Sequence, residues 1–174
     1  MLLSDTRVRA HPPENIIGHM KIQPDDVVVD LGCGPGYYTL PIAKHAKQVF
    51  AIDLQQEMLD MAKKRAMENG VKIDFMRSDG TIIDLASESV DKVLVSGVLH
   101  EFPDADKVLA EIRRILKPSG TLTIRERTRV GLTPVGPPIM RVREIDAVLD
   151  QNGFQISSTT REKRDSFVTA VKQP

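Results

Sequence analysis

Short apolar runs rich in β-branched residues alternate along this chain with longer segments of helical periodicity. Runs of this kind are typical of strands that are buried on both faces of a sheet. The pattern predicts such strands at residues 27–31, 49–53, 73–76, 93–95 and 121–124. Because strands and helices alternate, the expected sheet is parallel and is covered by helices on both faces.

Four segments carry the helical pattern. The clearest has an apolar stripe at Met58, Leu59, Met61 and Ala62, and it ends at the stop signal Asn69-Gly70. The predicted helices span residues 37–46, 55–69, 105–116 and 142–151. Residues 117–120, Lys-Pro-Ser-Gly, are expected to turn the chain from the third helix into the next strand.

The end of the chain departs from this alternation. Residues 154–160 and 166–172 are two strand-like runs joined only by five charged residues. So short a connection suits an antiparallel hairpin and not a parallel crossover. The expected fold is therefore a single α/β domain over residues 1–174, Rossmann-like and doubly wound, with a mostly parallel seven-stranded sheet and a C-terminal antiparallel strand.

Composition excludes several classes of protein. The 174 residues include 24 basic and 24 acidic residues, so no overall positive field draws the chain to nucleic acid. One cysteine and four scattered histidines provide neither an intrachain disulfide nor a zinc-spaced cluster, and we expect no metal site. Since no apolar stretch is long enough for a membrane span, a cytoplasmic location is expected.

The most informative residues follow the first predicted strand. Asp30 precedes a loop in which Gly32, Gly34 and Gly36 alternate, and Asp53 ends the next strand 17 residues after Gly36. A glycine loop before a helix lets a ligand approach the backbone, although a simple connecting turn is the alternative. An acid at the second strand end can bind ribose hydroxyls. The G-x-G-x-G spacing and the carboxylate two residues earlier disfavour a dinucleotide and favour a cationic ligand.

Further segments extend this pattern over nearly the whole chain, from about residue 13 to residue 172. The relevant stretches are residues 28–36, Asp53, residues 77–80, residues 90–96 with Leu99 and His100, and residues 109–120. Together they resemble the successive motifs of the class I S-adenosylmethionine-dependent methyltransferases, and in style they are closest to the small-molecule branch that includes the quinone-biosynthesis enzymes. The sequence lacks the N-P-P-Y-type tetrad of similar nucleobase N-methyltransferases, so we expect a small-molecule acceptor and no nucleic acid.

The resemblance implies a role for each matching position. It assigns the methionine part of S-adenosylmethionine to the glycine loop, the ribose and adenine to the ends of the second and third strands, and the sulfonium region to the fourth strand. The implied cofactor-binding residues are Asp30, Gly32, Gly34, Gly36, Asp53, Leu54, Met58, Asp79, Gly80 and Ser96. The expected product is S-adenosylhomocysteine.

Methyl transfer by in-line displacement needs alignment above all, and a general base only where the acceptor must lose a proton. His100 and Glu101, which follow the fourth strand, are the candidate catalytic residues, and Glu126 near the end of the fifth strand is a further candidate base. A histidine that only packs is the alternative for His100. We interpret Cys33, inside the glycine loop, as a small packing residue.

Five arginines cluster at residues 125, 127, 129, 141 and 143 and flank the loop 131–138. An anionic acceptor is one interpretation, because arginine matches carboxylate and phosphate geometry. A solvated basic rim is the favoured alternative. The N-terminal segment 1–25 and the loop 131–140 are expected to border the acceptor site, which leaves room for closure by a second subunit in a homodimer.

The main hypothesis is therefore a methyltransferase that uses S-adenosylmethionine. A non-catalytic S-adenosylmethionine-binding module or partner subunit is the alternative. A nucleotide-linked dehydrogenase ranks third because of the loop spacing.

Overall fold

The computed structural model describes residues 12–127, 142–162 and 165–173. Two regions expected to border the acceptor site, residues 1–11 and the loop 131–140, lie outside the described residues, as do Arg129 and Arg141.

Seven strands form one sheet in the order β3-β2-β1-β4-β5-β7-β6. Strands β1 to β5 are parallel to one another, whereas β7 pairs antiparallel with both β5 and β6. Their bounds are β1 Val27–Leu31, β2 Gln48–Asp53, β3 Asp74–Arg77, β4 Val90–Ser96, β5 Leu116–Arg127, β6 Phe154–Glu162 and β7 Asp165–Lys172. The predicted doubly wound α/β fold with an antiparallel end is confirmed.

Helices cover both faces of this sheet. They are α1 Asn15–Met20, α2 Thr39–Ala43, α3 Gln56–Glu68, α4 Ala105–Ile115 and α5 Val142–Gln151, with a 3-10 turn at Leu99–Glu101. Side chains of α4 and α5 such as Ile112 and Leu149 join one buried apolar cluster with β4 and β5. Residues of α1 and α2 such as Ile16 and Ile42 form a second cluster on the other face. Two buried faces explain why the strands are apolar runs without alternation.

The turn expected at residues 117–120 is instead a bulged part of β5. Leu116 pairs with Val90, but the next pair joins Thr121 to Lys92, so four residues of β5 stand opposite one residue of β4. Proline and glycine resemble a turn in sequence, and here they permit a bulge. Gly120 is closely packed in this bulge, since an added Cβ atom would lie 3.0 Å from the carbonyl oxygen of Lys117 and 3.1 Å from that of Asp91.

Helix α1 has no counterpart among the predicted helices. Its six residues are too few to display helical periodicity, and tertiary contacts hold it in place. The ring of His19 stacks on Phe167 of β7 with centroids 3.6 Å apart, and its Nε2 lies 2.9 Å from Oε1 of Glu162. The predicted helix at 37–46 is confirmed only in its centre, Thr39–Ala43.

Candidate functional site

The predicted site residues converge at the carboxyl ends of β1, β2, β3 and β4. Strands β1 and β4 are adjacent in the sheet, with β2 on the far side of β1 and β5 on the far side of β4. The strand order therefore reverses between β1 and β4, and open α/β sheets bind their ligands in the crevice at such a point.

The glycine loop after β1 needs its glycines for conformation and for space. Gly32, Gly34 and Gly36 all have positive φ, at 73°, 53° and 79°. A Cβ atom on Gly32 would lie 2.5 Å from Cγ2 of Val98, and one on Gly36 would lie 2.7 Å from a methyl carbon of Leu40. At Gly34, by contrast, no described atom comes within 4 Å of an added Cβ. Gly34 is therefore the open part of the loop, where a ligand can reach the backbone.

Asp53 at the end of β2 holds this loop in place. Its Oδ2 accepts a hydrogen bond from the backbone N–H of Gly34 at 2.8 Å, and its Oδ1 accepts one from the N–H of Gln55 at 2.9 Å. Each carboxylate oxygen has a further acceptor position, so the same side chain can still bind ribose hydroxyls. Asp53 thus links the loop to the expected ribose position.

Asp30 lies under the loop and is only 2 % exposed. The hydroxyl of Thr39 donates to its Oδ2 at 2.5 Å. Burial raises the pKa of Asp30 to about 7, and the neighbouring charge of Asp53 acts in the same direction. Two carboxylates on one side of the cleft favour a ligand that carries positive charge.

Exposed apolar side chains lie at the ends of β2 and β3. Leu54 is 54 % exposed, and Ile82, which sequence reasoning missed, is 79 % exposed. Asp79 lies on the surface, and its Oδ1 accepts hydrogen bonds from the hydroxyl and N–H of Thr81, which lower the pKa of Asp79. Met58 is half-buried. This end can hold a flat apolar ring that has polar groups at its edge.

Gly80 takes a different place from the other predicted ligand-binding residues. It is buried with φ 85°, and an added Cβ would lie 3.3 Å from a methyl carbon of Leu31. Its contacts show it shaping the turn after β3.

The end of β4 places polar groups on the opposite side of the cleft. Ser96 is half-buried, and the N–H of the following Gly97 donates to the carbonyl of Arg125 at 2.8 Å. Nδ1 of His100 lies 3.8 Å from Oε1 of Glu126, and its Nε2 lies 3.8 Å from Oε1 of Glu101. The structure therefore brings all three candidate acid–base residues together.

The prediction that the arginines form a solvated basic rim is wrong for Arg125. This residue is buried, pairs with Asp165 and lies over the ring of Tyr38, with its guanidinium carbon 5.9 Å from the ring centroid. Arg127 and Arg143 are exposed, as a rim requires. Arg125 and Arg127 are two residues apart and therefore face the same side of the sheet. Arg127 is the last residue of β5, whereas Arg125 lies where Tyr38 and Asp165 contact it.

Two more residues shape the glycine loop. Cys33 is buried, and burial raises the pKa of its thiol, which keeps it protonated and supports the packing role expected for it. Arg65 of α3, which sequence reasoning missed, donates from Nη1 to the carbonyl of Pro35 at 2.6 Å. No short motif signals this contact, because the two residues are 30 positions apart.

The residues present fit a ligand that combines a cation, ribose hydroxyls and a flat apolar ring. The cation suits Asp30 and Asp53, the hydroxyls suit Asp53, and the ring suits Leu54 and Ile82. Among the described residues, no group of three or more histidine, cysteine, aspartate or glutamate side chains could hold a metal ion. No helix in the described part of the chain is long and apolar enough to cross a membrane.

Comparisons with known proteins agree with this geometry. Residues 29–124 match a family model described as a methyltransferase domain. The chain is 34 % identical over 115 residues to a demethylmenaquinone methyltransferase of Lactobacillus johnsonii, covering 63 % of this chain and 47 % of that protein. It is 33 % identical over 105 residues to a ubiquinone biosynthesis O-methyltransferase of Xanthomonas euvesicatoria, covering 59 % and 43 %. The chain thus spans about half the length, or less, of these curated relatives.

The fold is also similar to solved structures. A crystal structure of an S-adenosylmethionine-dependent methyltransferase from Aquifex aeolicus superposes with a TM-score of 0.88 at 25 % identity, covering 97 % of this chain and 94 % of that one.

Proposed function

Since this chain belongs to the methyltransferase domain family that its residues 29–124 match, we propose that it transfers a methyl group to a small-molecule acceptor. The family expected from the sequence motifs is confirmed, and the cofactor is S-adenosylmethionine. The names of the quinone-biosynthesis relatives support the small-molecule acceptor, which stays a proposal here.

The observation that carries this proposal is the carboxylate-lined glycine loop. Gly34 leaves the backbone open, Asp53 holds it from one side and Asp30 lies buried below it. A dinucleotide pyrophosphate would meet two carboxylates here, whereas a ligand with ammonium and sulfonium groups is attracted to them.

We assign the cofactor to the residues that line the cleft. Asp30, Gly32, Gly34 and Gly36 would hold its methionine part, and Asp53 would accept hydrogen bonds from the ribose. The remaining proposed contacts are Leu54, Met58 and Asp79 around the adenine and Ser96 beside the sulfur, while Gly80 shapes the turn that carries Asp79.

When bound, S-adenosylmethionine supplies a methyl group that its positively charged sulfur already activates. The chain therefore contributes chiefly by positioning, which can lower a barrier by about 7–11 kcal/mol. His100 and Glu101 would lie beside the acceptor and take up its proton where one is lost. An anionic acceptor is not part of this proposal, because Arg125 is already paired with Asp165 inside the protein. A single domain, a cytoplasmic location and a homodimer stay predictions.

Calorimetric titration tests the proposal most directly. We expect S-adenosylmethionine and S-adenosylhomocysteine to bind the purified protein and NAD not to bind. Asp53→Ala should weaken binding at least tenfold, whereas Asp60→Ala, a matched change on the exposed side of α3, should leave it unchanged. Failure of both adenosyl ligands to bind the wild type would overturn the proposal. A screen of small acceptors for methylated product then separates an enzyme from a binding module.

A further inference from the structure

Glu126 and His100 face each other across a buried gap between β5 and the 3-10 turn after β4. Glu126 is 3 % exposed, and its Oε1 lies 3.8 Å from Nδ1 of His100. Both atoms are buried, and among the described residues neither has a hydrogen-bond partner. Buried polar atoms nearly always have partners, so two that face each other need an explanation.

A third atom of the same kind lies on the neighbouring strand. Ser166 of β7 is the register partner of Glu126, so the two side chains lie on the same face of the sheet. The Oγ of Ser166 is buried and has no hydrogen-bond partner within the described part of the chain. Three buried polar atoms, Oε1 of Glu126, Nδ1 of His100 and Oγ of Ser166, thus have no hydrogen-bond partner among the described residues, which is unfavourable unless they serve a proton or a ligand.

The charges around this pair decide which carboxylate controls the histidine ring. Glu101 lies as far from Nε2 as Glu126 lies from Nδ1, but Glu101 is exposed and water screens its charge. The interaction with Glu126 is stronger because both groups are removed from water. Arg125 lies next to Glu126 in the strand, but its side chain pairs with Asp165. Burial raises the pKa of Glu126, while the charges of His100 and Arg125 oppose that effect.

The location connects this pair to methyl transfer. Val98, two residues before His100, packs so closely on Gly32 that only glycine fits there. The 3-10 turn that follows Val98 contains His100, so this turn connects the contact with the glycine loop to Glu126. Nδ1 is directed toward the buried Glu126, whereas Nε2 is directed toward the exposed Glu101.

We propose that Glu126 is a positioning residue that accepts a hydrogen bond from the Nδ1–H of His100, so that the proton stays on Nδ1 and Nε2 is free to take a proton from the methyl acceptor. This inference rests on the proposed function and narrows it, because it selects acceptors with a hydroxyl or similar group that must lose its proton. As the acceptor oxygen bonds to the methyl carbon, the carbon–sulfur bond breaks with its electron pair left on sulfur. The acceptor proton goes to Nε2, and the positive charge of the ring then faces the Glu126 carboxylate.

Nitrogen-15 NMR of the histidine rings tests the proposal without an acceptor. In the wild-type protein at a pH where the His100 ring is neutral, we expect the proton on Nδ1. Glu126→Met keeps the length of the side chain but removes the acceptor, and the His100 tautomer should change toward a proton on Nε2. Glu126→Gln retains an acceptor oxygen and should show the wild-type tautomer. If the role of Glu126 were merely structural, the wild type, Glu126→Met and Glu126→Gln would all have the same His100 tautomer. Glu101→Gln is the matched control on the other ring nitrogen and should leave the tautomer unchanged.

Binding of S-adenosylhomocysteine separates the two proposals. We expect each Glu126 variant to bind it within about twofold of the wild type, which also shows that the variants fold. A wild-type His100 with its proton on Nε2, or a tautomer that Glu126→Met does not change, would overturn the role of Glu126 and leave the proposed function intact. If the wild-type protein does not bind S-adenosylhomocysteine, the proposed function is overturned. The His100 tautomer would still show whether Glu126 accepts a hydrogen bond from His100.

Discussion

Replacing the buried acid Asp30 by asparagine should make the protein more stable at neutral and alkaline pH. The asparagine side chain has nearly the same shape and retains an oxygen that can accept the hydrogen bond from Thr39. The substitution removes only the charge that the wild-type protein must bury. The buried charge of Asp30 therefore lowers the stability of the protein while it places a negative charge below the glycine loop. Such losses of stability are common at functional sites.

The magnitude follows from the pKa of Asp30, which burial raises from 3.8 to about 7. An acid whose folded-state pKa is raised binds its proton more tightly when folded, so its contribution falls as the pH rises between those two values. At about 1.4 kcal/mol per pKa unit, the full effect is about 4 kcal/mol. About 1 kcal/mol of this is already lost at pH 4.5, so about 3 kcal/mol should separate pH 4.5 from pH 8.

Urea unfolding of wild type and Asp30→Asn, at both pH values and without cofactor, measures this effect. The free energy of unfolding of Asp30→Asn minus that of the wild type should increase by about 3 kcal/mol between pH 4.5 and pH 8. Other titrating groups are common to both proteins and cancel in the difference. A difference that does not change with pH would refute the reasoning.

Asp91→Asn is a control of opposite sign. Burial by itself would raise the pKa of Asp91, but the hydrogen bond from Lys117 holds this pKa below its ordinary value. Its contribution to stability is therefore present at neutral pH and lost as the pH falls. Because pH 4.5 and pH 8 both lie above the ordinary pKa of 3.8, we expect Asp91→Asn to destabilise the protein almost equally at these two pH values and by less only when the pH falls below 3.8.

The glycine loop supports further predictions. Gly32→Ala combines a left-handed backbone with a steric clash and should lower the free energy of unfolding by more than the ~1–2 kcal/mol expected of Gly34→Ala, whose Cβ enters open space; thermal unfolding compares the two, and equal losses would contradict the clash. Arg65→Gln removes a charged hydrogen bond to the loop and should weaken S-adenosylhomocysteine binding by about 3- to 10-fold in calorimetry. Lys64→Gln, an exposed neighbour on the same helix, should not, and equal effects of the two changes would argue against a positioning role for Arg65.

Local patterns predicted the elements whose residues interact mainly with nearby residues or are buried on every side. Strand β1 and helix α5 have the predicted bounds, Val27–Leu31 and Val142–Gln151. The hairpin of β6 and β7 followed from the shortness of its connection. The positions of the glycine loop and Asp53 were also evident, because each lies at the end of an apolar run and the spacing of motif residues can be read directly from the sequence.

Contacts between distant residues were not evident in the sequence. Whether Arg125 is solvated or buried depends on Asp165, 40 residues later, and the pairing of His100 with Glu126 depends on the alignment of β4 with β5. Likewise, the bulge in β5 depends on its register with β4.

The sequence by itself determined the fold class, the family and the location of the cofactor loop, because periodicity and motif spacing are local properties of the chain. Only the tertiary structure decided which polar groups are buried, which of them face each other and which charges are already paired. Those properties set pKa values and proton positions, and they arise from packing that joins residues far apart in the chain.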